Sequence, residues 1–305
     1  MLIFLQYLKD YFRNISFKSF LLTSLFVAFL VFLNYSIGIE NRILKISSRY
    51  ISLSLFFVFY LFVFGFAYLI QFGWKEQKSI QEKSWFLIFF LLAPFLFALK
   101  MIHWNIPFVN TISQPAWKKY WTIVLQLPVK LLFLLLILYW LWKKNRHENS
   151  FWGFTTKEFK PAPYLLILLC MTPLIAFAST KHDFLLVYPK LKNIYFFQGY
   201  TNHPWLWKLI YEISYGLDFI SIEFFFRGFL VIGFLRFAGM SAILPMAAFY
   251  CTVHFGKPLG ECISSYFGGL ALGVIASRTN TIIGGLMVHL GIAYLMEIGG
   301  WLGSL

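Results

Sequence analysis

The sequence predicts an all-α protein whose helices cross a membrane several times. Of its 305 residues, 60% are hydrophobic and 12% are charged, and the mean hydropathy is +0.72. A water-soluble domain of this length could not bury so much apolar surface. The apolar runs are continuous and about 20 residues long, without the two-residue alternation of a barrel strand. We therefore expect a polytopic transmembrane helical bundle of about eight or nine spans.

Apolar runs of sufficient length locate the spans along the chain. Apolar and aromatic residues on one side of residues 2–12 predict a short interfacial helix before the first span. Proline inside a span is tolerated, because neighbouring helices re-satisfy the freed carbonyl groups. The most basic loop, 143–163, is expected on the cytoplasmic side, and 181–206 is the longest loop. The predicted spans are 19–38, 52–72, 84–102, 120–142, 164–180, 207–235, 241–255, 262–278 and 281–303.

The net charge of +14 is spread unevenly along the chain. Residues 1–208 contain 22 Lys and Arg against 7 Asp and Glu, whereas residues 209–305 contain 4 against 5. Basic loops suit anionic lipid headgroups, so membrane lipid is an expected partner. Nucleic acid is excluded as a partner, because the basic residues form no compact stripe. The shift in composition predicts N-terminal helices with basic loops in 1–206 and a core carrying the polar chemistry in 207–305.

Four ionisable residues lie inside apolar sequence near the C-terminus: Glu223, Arg227, His254 and His289. A charged side chain at the bilayer centre costs at least about 3 kcal/mol, so such residues indicate a function. Glu223 and Arg227 are four residues apart in a helix predicted from Tyr211 to Phe234. They are therefore expected on one face, where they can pair. A purely structural ion pair is the alternative.

Three further carboxylates are candidates for a supporting role. Asp218 lies a little over one helical turn before Glu223 and can share its polar cavity. Glu261 opens the next predicted helix, where a carboxylate also suits the positive helix end. Glu297 follows His289 by eight residues on the same helical face. A glutamate and two histidines suit activation of water either directly or through a metal such as zinc. No HExxH motif favours zinc, and we expect no cofactor.

Three short motifs on consecutive predicted spans resemble those of the CAAX protease and bacteriocin-processing family. That family includes the type II CAAX prenyl endopeptidases, which are glutamate-dependent intramembrane proteases. Its usual pattern is Glu-Glu-x-x-x-Arg, then Phe-x-x-x-His, then His-x-x-x-Asn. The resemblance covers about residues 207–300. The motifs here are Glu223-Phe-Phe-Phe-Arg227, Tyr250-Cys-Thr-Val-His254 and His289-Leu-Gly-Ile-Ala293.

The resemblance implies an intramembrane endopeptidase that cleaves a membrane-associated protein or peptide. Glu223 and His254 would activate water, Arg227 would hold Glu223, and His289 would polarise the peptide carbonyl. The substrate would be a prenylated CAAX protein, a bacteriocin-like peptide or another membrane peptide. The comparison with the family also argues against a metal, and the expected location is the bacterial inner membrane.

The sequence departs from the family pattern at three positions. Ile222 replaces the first glutamate, Ala293 replaces the asparagine and Tyr250 replaces the phenylalanine. Other side chains are available as substitutes, namely Glu223, Asp218 or Glu261 for the base and Tyr294 or Glu297 for the donor.

The departures also motivate a different function, a catalytically inactive relative that acts as a membrane scaffold or as a regulator of a membrane protein partner. A transporter or channel is a third hypothesis. The order of the motifs and the lack of an inverted repeat argue against it.

Overall fold

The computed structural model describes residues 2–73, 83–144, 150–157 and 159–305. Within these ranges the regular secondary structure is helical, without strands. Seven of the described helices are long and apolar enough to cross a membrane. The predicted class, a polytopic helical membrane protein, is therefore confirmed. The seven helices are Phe17–Ile37, Arg49–Gly73, Ser84–Met101, Pro115–Lys144, Pro204–Thr252, Leu259–Thr279 and Ile283–Gly303.

Shorter helices and irregular turns complete the described chain. The predicted interfacial segment is indeed helical and runs from Leu2 to Asn14. Further α-helices are Ile39–Leu44, Pro107–Asn110, Ala162–Ala178 and His182–Val187. The 3-10 segments are Phe151–Gly153, Lys190–Tyr200 and Gly239–Ala242.

Two regions differ from the span prediction. The span predicted at 164–180 is the apolar helix Ala162–Ala178, which at 17 residues is shorter than the seven long helices. The spans predicted at 207–235 and 241–255 fall in one run of helical turns, Pro204–Thr252. Within this run Gly239, with φ 54° and ψ −145°, precedes the final α-helix, Ile243–Thr252.

The prediction of a long loop at 181–206 is wrong for most of its length. His182–Val187 is α-helical and Lys190–Tyr200 is a 3-10 helix. Phe197 is buried and stacks on Tyr120, with ring centroids 4.4 Å apart. This packing of Phe197 against a span helps to order the segment.

Large apolar side chains cover the outward faces of the long helices. Leu25, Phe29 and Phe32 are exposed on Phe17–Ile37, and Leu132 and Leu136 are exposed on Pro115–Lys144. Such a surface is stable in contact with lipid chains and not with water. The chain is thus an integral, multi-pass membrane protein.

The chain divides into two units. The first contains Met1–Ile102, Ser150–Lys157 and Phe225–Ile282, and the second contains His103–Asn149, Glu158–Phe224 and Ile283–Leu305. Residues 145–149 and 158 of the basic loop predicted at 143–163 lie outside the described residues.

The first unit is built around the helix Ile243–Thr252, every residue of which is buried. It packs against Phe17–Ile37, Arg49–Gly73 and Leu259–Thr279. Glycines on the last of these helices allow the close approach: a methyl group at Gly269 would lie 2.7 Å from the Tyr250 ring. Small residues of this kind are common where helices pack in membranes.

The second unit is built around the helix Ile283–Gly303, which packs against Ala162–Ala178 and Pro204–Glu223. On the first contact, a methyl group at Gly291 would lie 2.7 Å from Leu168. On the second, the Tyr294 hydroxyl donates to the Glu212 carbonyl at 3.0 Å. These contacts set the height and rotation of the helix that carries His289.

Candidate functional site

The helix that carries the first motif changes its geometry at Glu223. It is α-helical from Pro204 to Glu223 and continues as a π-helix from Phe224 to Ile232. The expectation of one regular α-helix from Tyr211 to Phe234 is therefore corrected. A π-helix bonds residue i to i+5, so four-residue spacing no longer guarantees one face. Single π-turns are frequent at functional sites.

Glu223 and His289 form a direct hydrogen bond within the second unit. Glu223 Oε1 lies 3.0 Å from His289 Nδ1. The side chain of Glu223 is 0% exposed and that of His289 is 13% exposed. A buried carboxylate is strongly destabilised without a polar partner, and the imidazole supplies one.

Two neighbours restrict this pair. The ring of Phe219, one helical turn before Glu223, meets the imidazole edge-on with centroids 4.8 Å apart. On the facing helix, a methyl group at Gly285 would lie only 2.5 Å from Glu223 Oε2. Glycine therefore leaves the space that the carboxylate occupies, and the phenylalanine limits rotation of the imidazole.

The hydrogen bond determines which imidazole nitrogen carries a proton. An ionised carboxylate only accepts hydrogen bonds, so Nδ1 of His289 donates to it. The other nitrogen, Nε2, lies on the opposite side of the ring from this hydrogen bond. A carboxylate that accepts from one ring nitrogen also fixes the orientation of the imidazole.

Arg227 lies in the first unit, on the π-helical segment. Its guanidinium carbon is 4.2 Å from the centroid of the Tyr250 ring, and the residue is 0% exposed. The contact is a cation–π interaction, which is stronger where water is excluded. Tyr250, the residue that replaces the family's phenylalanine, thus keeps an aromatic face for the arginine. The pairing of Arg227 with Glu223 stays a prediction.

His254 lies in the turn that follows the helix Ile243–Thr252. Its Nδ1 is 3.0 Å from the Tyr250 carbonyl oxygen, and its ring meets the Tyr250 ring at 4.6 Å. A carbonyl oxygen only accepts, so Nδ1 carries a proton. In the neutral imidazole Nε2 therefore holds the lone pair and can accept a proton. This is the form that a general base requires.

Asp218 and Glu261 contact residues close to them in sequence. The Ser221 hydroxyl donates to Asp218 Oδ1 at 3.1 Å. Glu261 stands in the first turn of Leu259–Thr279, as predicted, and its Oε1 is 3.5 Å from Lys257 Nζ. Their participation in catalysis stays a prediction.

Glu297 holds the start of a helical segment. Its two carboxylate oxygens accept the backbone N–H groups of Lys190 at 2.7 Å and Leu191 at 3.1 Å. These N–H groups open the 3-10 segment Lys190–Tyr200, where no preceding turn supplies an acceptor. The placement gives Glu297 a structural task that its spacing from His289 did not reveal.

We expect Glu297→Gln to destabilise the protein. The amide would turn one donor group toward a backbone N–H and leave that N–H without an acceptor. The loss should be about 2 kcal/mol, because a buried donor would be unsatisfied and a charge-assisted bond would be lost. Thermal unfolding in detergent, followed by circular dichroism, checks this. An unchanged midpoint would contradict the assignment.

Among the described residues, no three His, Cys, Asp or Glu side chains cluster closely enough to hold a metal ion. The Glu223–His289 pair offers two potential ligands in the second unit.

One residue beside the pair, Phe219, was missed by the motif reasoning. Phe219 precedes Glu223 by four residues, so helical periodicity could have placed it on the same face. Gly285 precedes His289 by four residues, but only the structure shows which side chain approaches it.

Comparison with known proteins supports the motif interpretation. Residues 204–295 match the family model described as Rce1-like, type II CAAX prenyl endopeptidase Rce1-like. Neither the curated proteins nor the solved structures gave a match. The matched range contains Glu223, Arg227, His254 and His289. The resemblance of this segment to the CAAX protease and bacteriocin-processing family, of which the type II CAAX prenyl endopeptidases are part, is thus confirmed.

Proposed function

We propose that the protein is an intramembrane endopeptidase that cleaves a membrane-associated protein or peptide. The observation that carries the proposal is the buried hydrogen bond between Glu223 and His289 at 3.0 Å. Burying a carboxylate and an imidazole in a membrane protein costs free energy, which indicates a function. Their acid–base chemistry suits acyl transfer. The match of residues 204–295 to an endopeptidase family supports the same reaction class.

In this proposal His289 acts as an imidazolium, which the Glu223 carboxylate orients through Nδ1–H. Nε2–H of the imidazolium then donates to the oxygen of the scissile carbonyl. The interaction strengthens as negative charge develops on that oxygen in the tetrahedral intermediate. One such donor is typically worth about 10²–10³ in rate.

Activation of water is assigned by the resemblance to Glu223 together with His254. The base takes a proton from water while the water oxygen bonds to the carbonyl carbon. As the intermediate collapses, the carbon–nitrogen bond breaks and that proton passes to the leaving amine. The lone pair on Nε2 of His254 is suited to both transfers.

The test is proteolysis by the purified protein in liposomes. One substrate is a farnesylated peptide that ends in the Cys-aliphatic-aliphatic-X sequence, and another is a membrane-bound bacteriocin precursor peptide. Mass spectrometry should show one defined internal cleavage in at least one of them. Parallel reactions with EDTA report metal dependence. If no peptide is cut by folded protein, the proposal fails.

A smaller change tests the pair through its surroundings. Gly285→Ala would put a methyl group 2.5 Å from Glu223 Oε2, so the carboxylate must move away. We expect the rate of cleavage to fall at least about tenfold, since a displacement of 1 Å can cost 10²-fold. The matched control is Gly268→Ala, where a methyl group meets nothing within 4 Å. Equal activity of the two variants would contradict the proposal.

A membrane scaffold or regulator without catalysis is the second candidate function. It is favoured by Ile222 and by Ala293, which is buried and has no side-chain donor where the family has asparagine. This function requires a membrane protein that copurifies with the chain and whose binding survives Glu223→Gln. A monomer that cleaves peptide would exclude it.

A further inference from the structure

The turn after His254 is contacted by a part of the chain far outside the matched segment. Gly256 in this turn has φ 72°, a left-handed conformation that favours glycine. Lys257 N–H donates to the His254 carbonyl at 3.1 Å, which closes the turn. The Tyr35 hydroxyl donates to the Lys257 carbonyl at 2.5 Å. The end of helix Phe17–Ile37 is therefore bound to the backbone beside His254.

Glu40 lies just after this end of the helix, in the first turn of the next helix. Gly38, with φ 68°, ends the helix Phe17–Ile37 and begins Ile39–Leu44. The buried Asn34 side chain accepts the Glu40 backbone N–H at 3.0 Å. The junction of the two helices and this hydrogen bond thus fix the position of the Glu40 backbone.

The carboxylate of Glu40 lies directly against Gly256. A methyl group at Gly256 would overlap Glu40 Oε2, so only glycine allows this approach. Glu40 is consequently in contact with a residue two positions from His254. An anionic group near an imidazole stabilises a positive charge on the ring.

Other charges around His254 do not replace this contribution. Lys257 and Glu261 have opposite charges 3.5 Å apart, so their fields at the imidazole largely offset each other. Arg227 lies across the Tyr250 ring that His254 contacts, and its positive charge opposes protonation of the imidazole. The uncharged titratable groups on the same elements are Tyr35, Tyr250, Cys251, Cys262 and Tyr266.

We propose that Glu40 is a positioning residue for His254 and stabilises the imidazolium that forms when His254 accepts a proton. Ile222 stands at the position of the first glutamate of the family pattern, so the motif itself lacks one carboxylate. Glu40 provides a carboxylate from another part of the chain. The catalytic part of the inference rests on the proposed endopeptidase function. The electrostatic part concerns the ground state of the protein and does not.

The test is a titration of the histidines by NMR in nanodiscs, with ¹⁵N-labelled imidazoles and His254→Gln to assign the signal. In Glu40→Gln we expect the midpoint of the His254 titration to fall by about one pH unit. The sign follows because the imidazolium loses an anionic neighbour, so protonation needs a lower pH. In Glu40→Asp, which retains a carboxylate, the midpoint of the His254 titration should stay close to that of the unsubstituted protein. An unchanged midpoint in Glu40→Gln would overturn the inference.

A second variant tests the same inference if Glu40→Gln does not fold. Gly256→Asn introduces a residue that tolerates a positive φ. Its side chain would displace the Glu40 carboxylate. The midpoint should fall in the same direction. The other histidines that the structure describes, at positions 103, 182, 203 and 289, report whether the fold is retained. A Gly256→Asn midpoint equal to that of the unsubstituted protein would count against Glu40.

Peptide cleavage separates this inference from the proposed function. If the unsubstituted protein cleaves peptide, Glu40→Gln should lower kcat about tenfold with little change in KM. The acid limb of its pH profile should move to lower pH, together with the NMR midpoint. If the unsubstituted protein cleaves no peptide while the midpoint still moves, the proposed function fails and the electrostatic role of Glu40 remains.

Discussion

Replacement of Glu223 by glutamine is expected to lower kcat for peptide cleavage by about 10³. Glutamine keeps the shape of the side chain and one oxygen acceptor for His289 Nδ1–H, so the fold should be preserved. It cannot stabilise an imidazolium, nor can it accept a proton from water. General base catalysis typically contributes about 10²–10⁴ in rate. Stabilisation of the oxyanion by one donor typically contributes about 10²–10³.

The measurement is initial cleavage rate in liposomes, with equal amounts of inserted protein. Thermal unfolding should show that Glu223→Gln remains folded. A control for surface charge is Lys9→Gln, because Lys9 is exposed and remote in sequence from all three motifs. Cleavage by Glu223→Gln at the rate of the unsubstituted protein would exclude any catalytic part for this carboxylate.

The second large effect is expected for His289→Gln. Loss of the imidazole removes the proposed donor to the carbonyl oxygen, and kcat should fall about 10²–10³. KM should change little, because the interaction strengthens only in the transition state. The measurement is the dependence of the initial rate on peptide concentration.

His182→Gln is the matched control, because His182 is an exposed histidine in the short helix His182–Val187. It should cleave at the rate of the unsubstituted protein. A rise in KM without a fall in kcat for His289→Gln would instead assign His289 to substrate binding.

The class of fold could be predicted because membrane insertion depends mainly on local hydropathy. A run of about 20 apolar residues must be helical in lipid whatever surrounds it. The order in 181–206 could not be predicted in this way, because it depends on tertiary contacts such as the stacking of Phe197 on Tyr120. The π-helical turns after Glu223 likewise give no periodic signal.

The candidate site could be predicted as a set of residues but not as a set of contacts. Ionisable residues in apolar sequence singled out Glu223 and His289 as candidate site residues. Helical spacing suggested Arg227 as the neighbour of Glu223, whereas the structure gives Glu223 a hydrogen bond to His289, 66 residues away. Glu297 is similar, since its backbone partners are more than 100 residues away in sequence.

A double-mutant cycle tests the central claim, that Glu223 and His289 act as one catalytic pair. Cleavage rates are measured in liposomes for the unsubstituted protein, Glu223→Gln, His289→Gln and the double variant. If Glu223 acts through His289, the double variant should be no slower than the slower single variant, about 10³ below the unsubstituted protein. Independent effects that multiply to about 10⁵–10⁶ would contradict the claim, because each residue would then contribute without the other.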